Sequence, residues 1–180
     1  METLIVAALS LLMAMAAVPG AVAQQLDREN TLYMELDGGR VVIRLRPDLA
    51  PRHVDRVKLL AREGFFDGIV FHRVIEGFMA QTGDPTGTGT GGSDYPDLPA
   101  EFSPTPYVRG TIGAARTSDP DSANSQFFIT FDEASFLTGQ YTVWGEVVEG
   151  MEHVDAIERG EPPANPDRII KVEVAADVGG

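Results

Sequence analysis

Apolar and polar side chains alternate over residues 32–36, and again over 40–46, where Val41, Ile43 and Leu45 fall on one side. A period of two predicts two half-buried strands. Asp37-Gly38-Gly39 between them predicts the turn of a hairpin. The period then changes: Val54, Val57, Leu60 and Ala61 recur at helical spacing behind Pro51. That pattern predicts a helix opened by Pro51 and stopped by Gly64. Further short strands are predicted over 69–74, 78–82, 111–116, 126–131, 142–148 and 168–175, and a second, short helix over 151–159, closed by Gly160. A loop rich in Gly, Thr, Asp and Pro covers 83–99. Eight short strands with Gly/Pro turns predict a sandwich or a barrel, and the pattern alone does not choose between them.

Composition narrows the function classes. A chain of 180 residues, 43% of them apolar, can build one domain with a sizeable core. It has no cysteine, which excludes disulfides, thiol catalysis and Cys-based metal sites. A formal charge of -13 argues against nucleic acid and anionic membrane surfaces as partners.

Residues 1–23 are of another kind: nearly all apolar over 4–18, broken by Pro19 and Gly20, then Ala21-Val22-Ala23 as a small-x-small cleavage pattern. They predict a signal peptide cut before Gln24 and a periplasmic or secreted protein. Met1-Glu2-Thr3 carries only the α-amine as positive charge, which leaves an uncleaved anchor as the alternative. The apolar run is short for a spanning helix and favours the signal. Residues 24–30 then form a linker, 31–176 the folded domain and 177–180 a tail.

The most informative stretch is Phe71-His72-Arg73-Val74-Ile75-Glu76-Gly77-Phe78-Met79-Ala80-Gln81-Thr82-Gly83-Asp84. It sets one arginine inside an apolar, strand-forming run. Arginine keeps its charge and is rarely buried alone. Beside Phe78, Met79 and Gln81 it reads as a fixed hydrogen-bond donor at the rim of an apolar pocket. Met79 and Gln81 are two apart and share a strand face, as do Gln126 and Phe128. Two later blocks follow in order: Gly113-Ala114-Ala115-Arg116 with Ser125-Gln126-Phe127-Phe128-Ile129-Thr130, and Phe136-Leu137-Thr138-Gly139-Gln140-Tyr141-Thr142-Val143-Trp144-Gly145.

These three blocks resemble the active-site stretches of the cyclophilins, a family of peptidyl-prolyl cis-trans isomerases, and the similarity covers roughly residues 31–175. The resemblance implies a closed eight-stranded antiparallel β-barrel capped by two helices. It implies Arg73 as the catalytic donor, oriented by Gln81. Phe78, Met79, Phe128 and Leu137 match the family's proline pocket. Ala115 and the main chain of Arg116 match the stretch that pairs with the substrate backbone, and Gln126, Phe136 and Tyr141 complete the substrate-binding set. Phe136 stands where many members have tryptophan, and Tyr141 where many have histidine. Loss of the indole N–H donor predicts weak or no cyclosporin binding with isomerase activity retained. Arg116 replaces a commoner asparagine, but its role is through the backbone.

Other features carry less. His53, His72 and His153 lie on different elements without ligand spacing, and His72 points away from the Arg73 face. Phe71 and Phe127 read as plain core. The run Thr86-Gly87-Thr88-Gly89-Thr90-Gly91-Gly92 lacks the Gly-Lys-Ser/Thr ending of a phosphate loop and reads as a flexible loop beside the groove. Asp119, Asp121 and Ser122 read as a surface turn. No motif for a cofactor or a metal is found. The sequence therefore predicts a monomeric isomerase acting on proline-containing polypeptides during folding of exported proteins. The second reading, of a different class, is a binding module or chaperone that holds such peptides with turnover incidental.

Overall fold

The computed structural model describes residues 27–179. The signal peptide expected over 1–23 and the first three linker residues, 24–26, lie outside the described residues. Eight strands form one sheet: β1 (Thr31–Leu36), β2 (Gly39–Leu45), β3 (Arg73–Ile75), β4 (Met79–Thr82), β5 (Thr111–Ala114), β6 (Phe127–Thr130), β7 (Val143–Glu149) and β8 (Lys171–Val174). Their order across the sheet is β3-β4-β6-β5-β7-β2-β1-β8, and every neighbouring pair is antiparallel. Two helices, α1 (Pro51–Arg62) and α2 (Met151–Asp155), complete the regular elements among the described residues, beside three short 3-10 turns.

The closed barrel expected from the sequence is corrected here: the sheet is an open half-barrel, with β3 and β8 as its edges. Across the gap the chain leading into β3 meets the chain leading into β8 in a single bridge, Val70 to Arg168. Gly68 N–H donates to the Ile169 carbonyl at 2.7 Å, Ile169 N–H to Ile69 at 2.9 Å, and Phe71 N–H to Asp167 at 2.9 Å. These irregular bonds also explain why β3 is shorter than the strand predicted over 69–74. Its first half pairs across the seam and does not extend a ladder.

The register sorts side chains into two layers. Val74, Ala80, Ile129 and Ile112 stand opposite one another across four strands. They point into the main core with Leu32, Met34, Val41, Ile43, Phe71, Phe127 and Trp144. Burying each such side chain contributes about 1.5–3 kcal/mol. Helix α1 adds Val54, Val57, Leu60 and Ala61 to this core. The next row, one residue along each strand, points the other way and builds the site.

Both helices differ from their sequence outlines in ways set by distant partners. The N-terminus of α1 has no local side-chain cap. Glu101 caps it instead, accepting from Arg52 N–H at 3.2 Å and His53 N–H at 3.1 Å. The Glu101 carboxylate also meets His53 Nδ1 at 2.6 Å. Burial nonetheless pushes the His53 imidazole below its ordinary value, outweighing that carboxylate. Helix α2 stops at Asp155, short of the predicted Arg159. Beyond it the backbone donors find other acceptors: Glu158 N–H bonds the Asp167 carboxylate at 2.7 Å, and Gly160 N–H the Val74 carbonyl at 2.9 Å.

Candidate active site

Arg73 stands opposite Gln81, Gln81 opposite Phe128, and Phe128 opposite Gly113, in one row across β3, β4, β6 and β5. Directly opposed residues share a face, so an arginine, an amide and an aromatic ring lie side by side outside the main core. Below them a second apolar cluster joins Met79, Tyr107, Phe128, Ala134, Leu137 and Val143, with Phe78, Ala115 and Tyr141 packed against it. Phe71 and Phe127, one residue out of phase, belong to the main core as predicted.

A cavity of about 490 Å³ opens over this cluster. Its lining includes Arg73, Phe78, Met79, Gln81, Ala115, Arg116, Phe128, Phe136, Leu137 and Tyr141, so ten of the eleven residues singled out from the sequence meet there. Gln126, the eleventh, lines an adjoining cavity of about 520 Å³ that shares Gln81, Ala115 and Arg116 with the first. Phe136 sits on a 3-10 turn (Ser135–Leu137), is 68% exposed and meets Phe78 with ring centroids 5.5 Å apart. Phe128 is held between two rings: Tyr107 stacks on it at 5.7 Å and Tyr141 meets it edge-on at 5.8 Å.

The arginine is tied on two sides. Its Nε–H donates to Glu161 Oε1 at 2.8 Å, and Nη1 reaches Gln81 Oε1 at 3.5 Å. The Gln81 amide donates to Gln126 Oε1 at 2.9 Å. Gln126 in turn donates to the carbonyls of Gly89 at 3.1 Å and Gly91 at 2.8 Å. Each amide thus has a fixed sense, acceptor toward Arg73 and donor toward the glycine-rich loop. That loop is pinned, not free. Buried Asp84 accepts from Thr86 N–H and hydroxyl at 2.7 and 2.8 Å, Gly89 N–H at 2.6 Å and Gly91 N–H at 3.1 Å. Burial alone would raise its pKa, but these donors outweigh it and hold the carboxyl at about 2.

Arg116 joins the other wall. Its guanidinium donates to the carbonyls of Thr117 at 2.8 Å and Gln140 at 2.7 Å and lies 4.4 Å from the Tyr141 ring centre. Ala115 N–H is already engaged by the Gln126 carbonyl at 2.9 Å. His72 is buried, and burial pushes its imidazole below the ordinary value. Asp119, Asp121 and Ser122 form the expected surface turn.

Two residues near the site were not foreseen. Tyr107 is fully buried beneath Phe128, its hydroxyl without a hydrogen-bond partner among the described residues. It fills space that Gly113 leaves open, since a β-carbon there would overlap both the hydroxyl and the Phe128 ring. Glu161 is 88 residues from Arg73 in the chain. Neither position carries a periodic or local signal.

Comparison with known proteins places this arrangement. Residues 31–174 match the family model described as cyclophilin type peptidyl-prolyl cis-trans isomerase/CLD. The chain belongs to the cyclophilins. This cyclophilin is 54% identical over 171 residues to a probable peptidyl-prolyl cis-trans isomerase of Brucella suis, covering 86% of the chain and 87% of that protein. It is 40% identical over 126 residues to peptidyl-prolyl cis-trans isomerase B of Bacillus subtilis, covering 69% and 87%. Among solved structures, a cyclophilin from Hirschia baltica superposes with a TM-score of 0.79 at 29% identity, covering 86% of this chain and 77% of that one. A cyclophilin-type isomerase from Cryptosporidium parvum, crystallised in the presence of the dipeptide Ala-Pro, superposes at 0.74 with 26% identity, covering 80% and 98%. This cyclophilin is accordingly an enzyme, a peptidyl-prolyl cis-trans isomerase, and the binding-module alternative gives way to it.

Proposed function

We propose that the cavity over Met79 and Phe128 grips the proline ring while Arg73 stabilises the twisted peptide bond beside it. Amide resonance sets a barrier of about 18–20 kcal/mol to rotation, and uncatalysed exchange takes roughly tens to hundreds of seconds. A turnover of about 10–1000 per second corresponds to roughly 13–16 kcal/mol, so the protein must supply roughly 3–6 kcal/mol of selective stabilisation. No bond is broken, so neither nucleophile nor general base is required. Losing resonance makes the prolyl nitrogen more basic, and a donor held there favours the twisted state over both planar ones.

The observation that carries this reading is the row Arg73, Gln81, Phe128 across three adjacent strands. It sets a permanent cation beside an apolar wall. With Nε and Nη1 engaged, Nη2 has no partner among the described residues and can donate to the substrate. The apolar floor is built from Met79, Phe128 and Leu137, with Phe78 and Phe136 at the rim. Ala115 N–H is spent within the fold, so pairing with the substrate backbone falls to the main chain of Arg116. Backbone pairing admits many sequences, which suits a folding enzyme. The Ala-Pro dipeptide used with the Cryptosporidium parvum relative supports the same ligand class.

The biological setting belongs to the same proposal: a monomer, exported after cleavage before Gln24, that assists the folding of exported proline-containing chains. Phe136, lacking an indole donor, gives weak cyclosporin binding. Two experiments test this. N-terminal sequencing of the protein from the extracytoplasmic fraction should begin at Gln24, and an intact Met1 in a membrane fraction would refute export by cleavage. Phe128→Ala should raise KM for an Ala-Pro peptide at least fivefold, and an unchanged KM would refute the assigned proline pocket.

A further inference from the structure

Strand β3 is an edge strand, and the loop after α2 occupies its free edge. Val74 N–H donates to the Gly160 carbonyl at 2.8 Å, and Gly160 N–H to the Val74 carbonyl at 2.9 Å. The bridge is antiparallel. One residue back on β3 and one forward on the loop therefore face each other, and these are Arg73 and Glu161. Gly160 adopts φ 152°, and a β-carbon there would lie 2.5 Å from Pro163 Cα and 2.7 Å from the Pro162 carbonyl oxygen. Two prolines follow Glu161 at once, which restricts the backbone further. An exposed carboxylate is thus carried on a registered, stiff segment and aimed at the arginine.

We propose that Glu161 is a positioning residue for the isomerase reaction: it holds Nε of Arg73 so that the remaining guanidinium donors face the proline cavity. The proposal rests on Arg73 being the donor. An arginine side chain has much rotamer freedom to lose, and less is lost when its planar fork is already placed. Gln81 alone is a weak anchor, because its contact of 3.5 Å lies at the limit of a hydrogen bond. The Glu161 bond of 2.8 Å is the stronger hold. The carboxylate also offsets part of the arginine's charge, which works against the rate. The two side chains are 43% and 55% exposed, so water screens that field while leaving the directed bond in place. Positioning therefore outweighs neutralisation, and the modest worth of exposed pairs sets the scale of the effect.

The test uses the full chain and its Glu161→Ala, Glu161→Gln, Arg73→Ala and Arg73→Ala/Glu161→Ala variants. Their kcat and KM are measured separately by exchange NMR on an Ala-Pro peptide. Glu161→Ala should lower kcat about three- to fivefold with KM within about twofold. Glu161→Gln, which keeps an acceptor oxygen, should retain more than half the parental kcat. In the Arg73→Ala background Glu161→Ala should change nothing further. The Arg73 Nε–H resonance should exchange slowly with water in the parent and be lost to fast exchange in Glu161→Ala, with unchanged thermal melts confirming the fold. A Glu161→Ala kcat equal to or above the parent's overturns the proposal. So does a Glu161→Gln variant as slow as Glu161→Ala, or a loss that persists without Arg73. An Arg73→Ala protein with full activity would remove the donor assignment itself, and with it anything for Glu161 to position.

Discussion

Replacing Asp84 by asparagine removes a buried charge that organises the loop bordering the groove. The carboxylate is 1% exposed and accepts four hydrogen bonds, from Thr86 N–H and Oγ1, Gly89 N–H and Gly91 N–H. Its pKa is held at about 2 against an ordinary 3.8. A difference of nearly two units corresponds to about 2–3 kcal/mol. Because the folded carboxyl ionises more readily than the unfolded one, this stability is fully present above about pH 4. It is lost as pH falls toward 2. The asparagine variant has no such titration at this position, and its NH2 group opposes the two glycine donors. At neutral pH it should therefore melt roughly 4–12 °C below the parent. Urea unfolding from pH 6 down to pH 2 should show the gap between the two proteins closing by about 2–3 kcal/mol. Parallel pH profiles would refute the reasoning, because they would mean that Asp84 titrates alike in folded and unfolded chains. Gln126 rests on the same loop, so the variant should also lose activity at pH 7.

Three further outcomes follow from the packing. Tyr107→Phe removes a buried hydroxyl without a partner and should stabilise the protein by about 1 kcal/mol or more with activity retained; a lower melting temperature would show that the hydroxyl is satisfied. Gly113→Ala forces a β-carbon against Tyr107 and Phe128, so it should cost about 1–3 kcal/mol and raise KM, with partial relief in combination with Tyr107→Phe; an unperturbed variant would contradict the close approach. Glu101→Ala strips α1 of its remote cap and should cost about 1–2 kcal/mol in denaturant unfolding, whereas a neutral effect would mean that water caps the helix as well. At the rim, Phe136→Trp should tighten cyclosporin inhibition, measured by titration of the isomerase rate, and parental inhibition in the nanomolar range would refute the weak-binding proposal.

The hairpin, α1 and the approximate placing of the remaining strands were legible because each buries one face and so leaves a period of two or of 3.6 in the chain. The same alternation put Met79 with Gln81 and separated Phe127 from Phe128, as the register confirms. Gln126, expected on the Phe128 face, lies just before β6 and meets Gln81 through its side chain. Strand and helix ends were less legible. The segment before β3 has strand composition but pairs across the seam, and α2 ends at Asp155, beyond which Asp167 and Val74 take the N–H groups of Glu158 and Gly160. Openness of the barrel was not legible either, since closure depends on what two edge strands far apart in the chain, β3 and β8, do. The supports of the site escaped for the same reason. Glu161, Glu101 and Tyr107 act through contacts that no local spacing encodes, whereas Asp84 bonds residues only two to seven positions ahead. Gln126 was placed with the substrate, but its bonds also make it part of the scaffold behind Gln81.

The most direct test of the central claim is the rate of cis-to-trans conversion in a short Ala-Pro peptide, measured with the parent and with Arg73→Ala at matched concentration. If Arg73 supplies the donor that favours the twisted bond, the parent accelerates exchange and the variant loses about a hundredfold or more of kcat while remaining folded. A folded Arg73→Ala protein that keeps most of the parental rate would contradict the account.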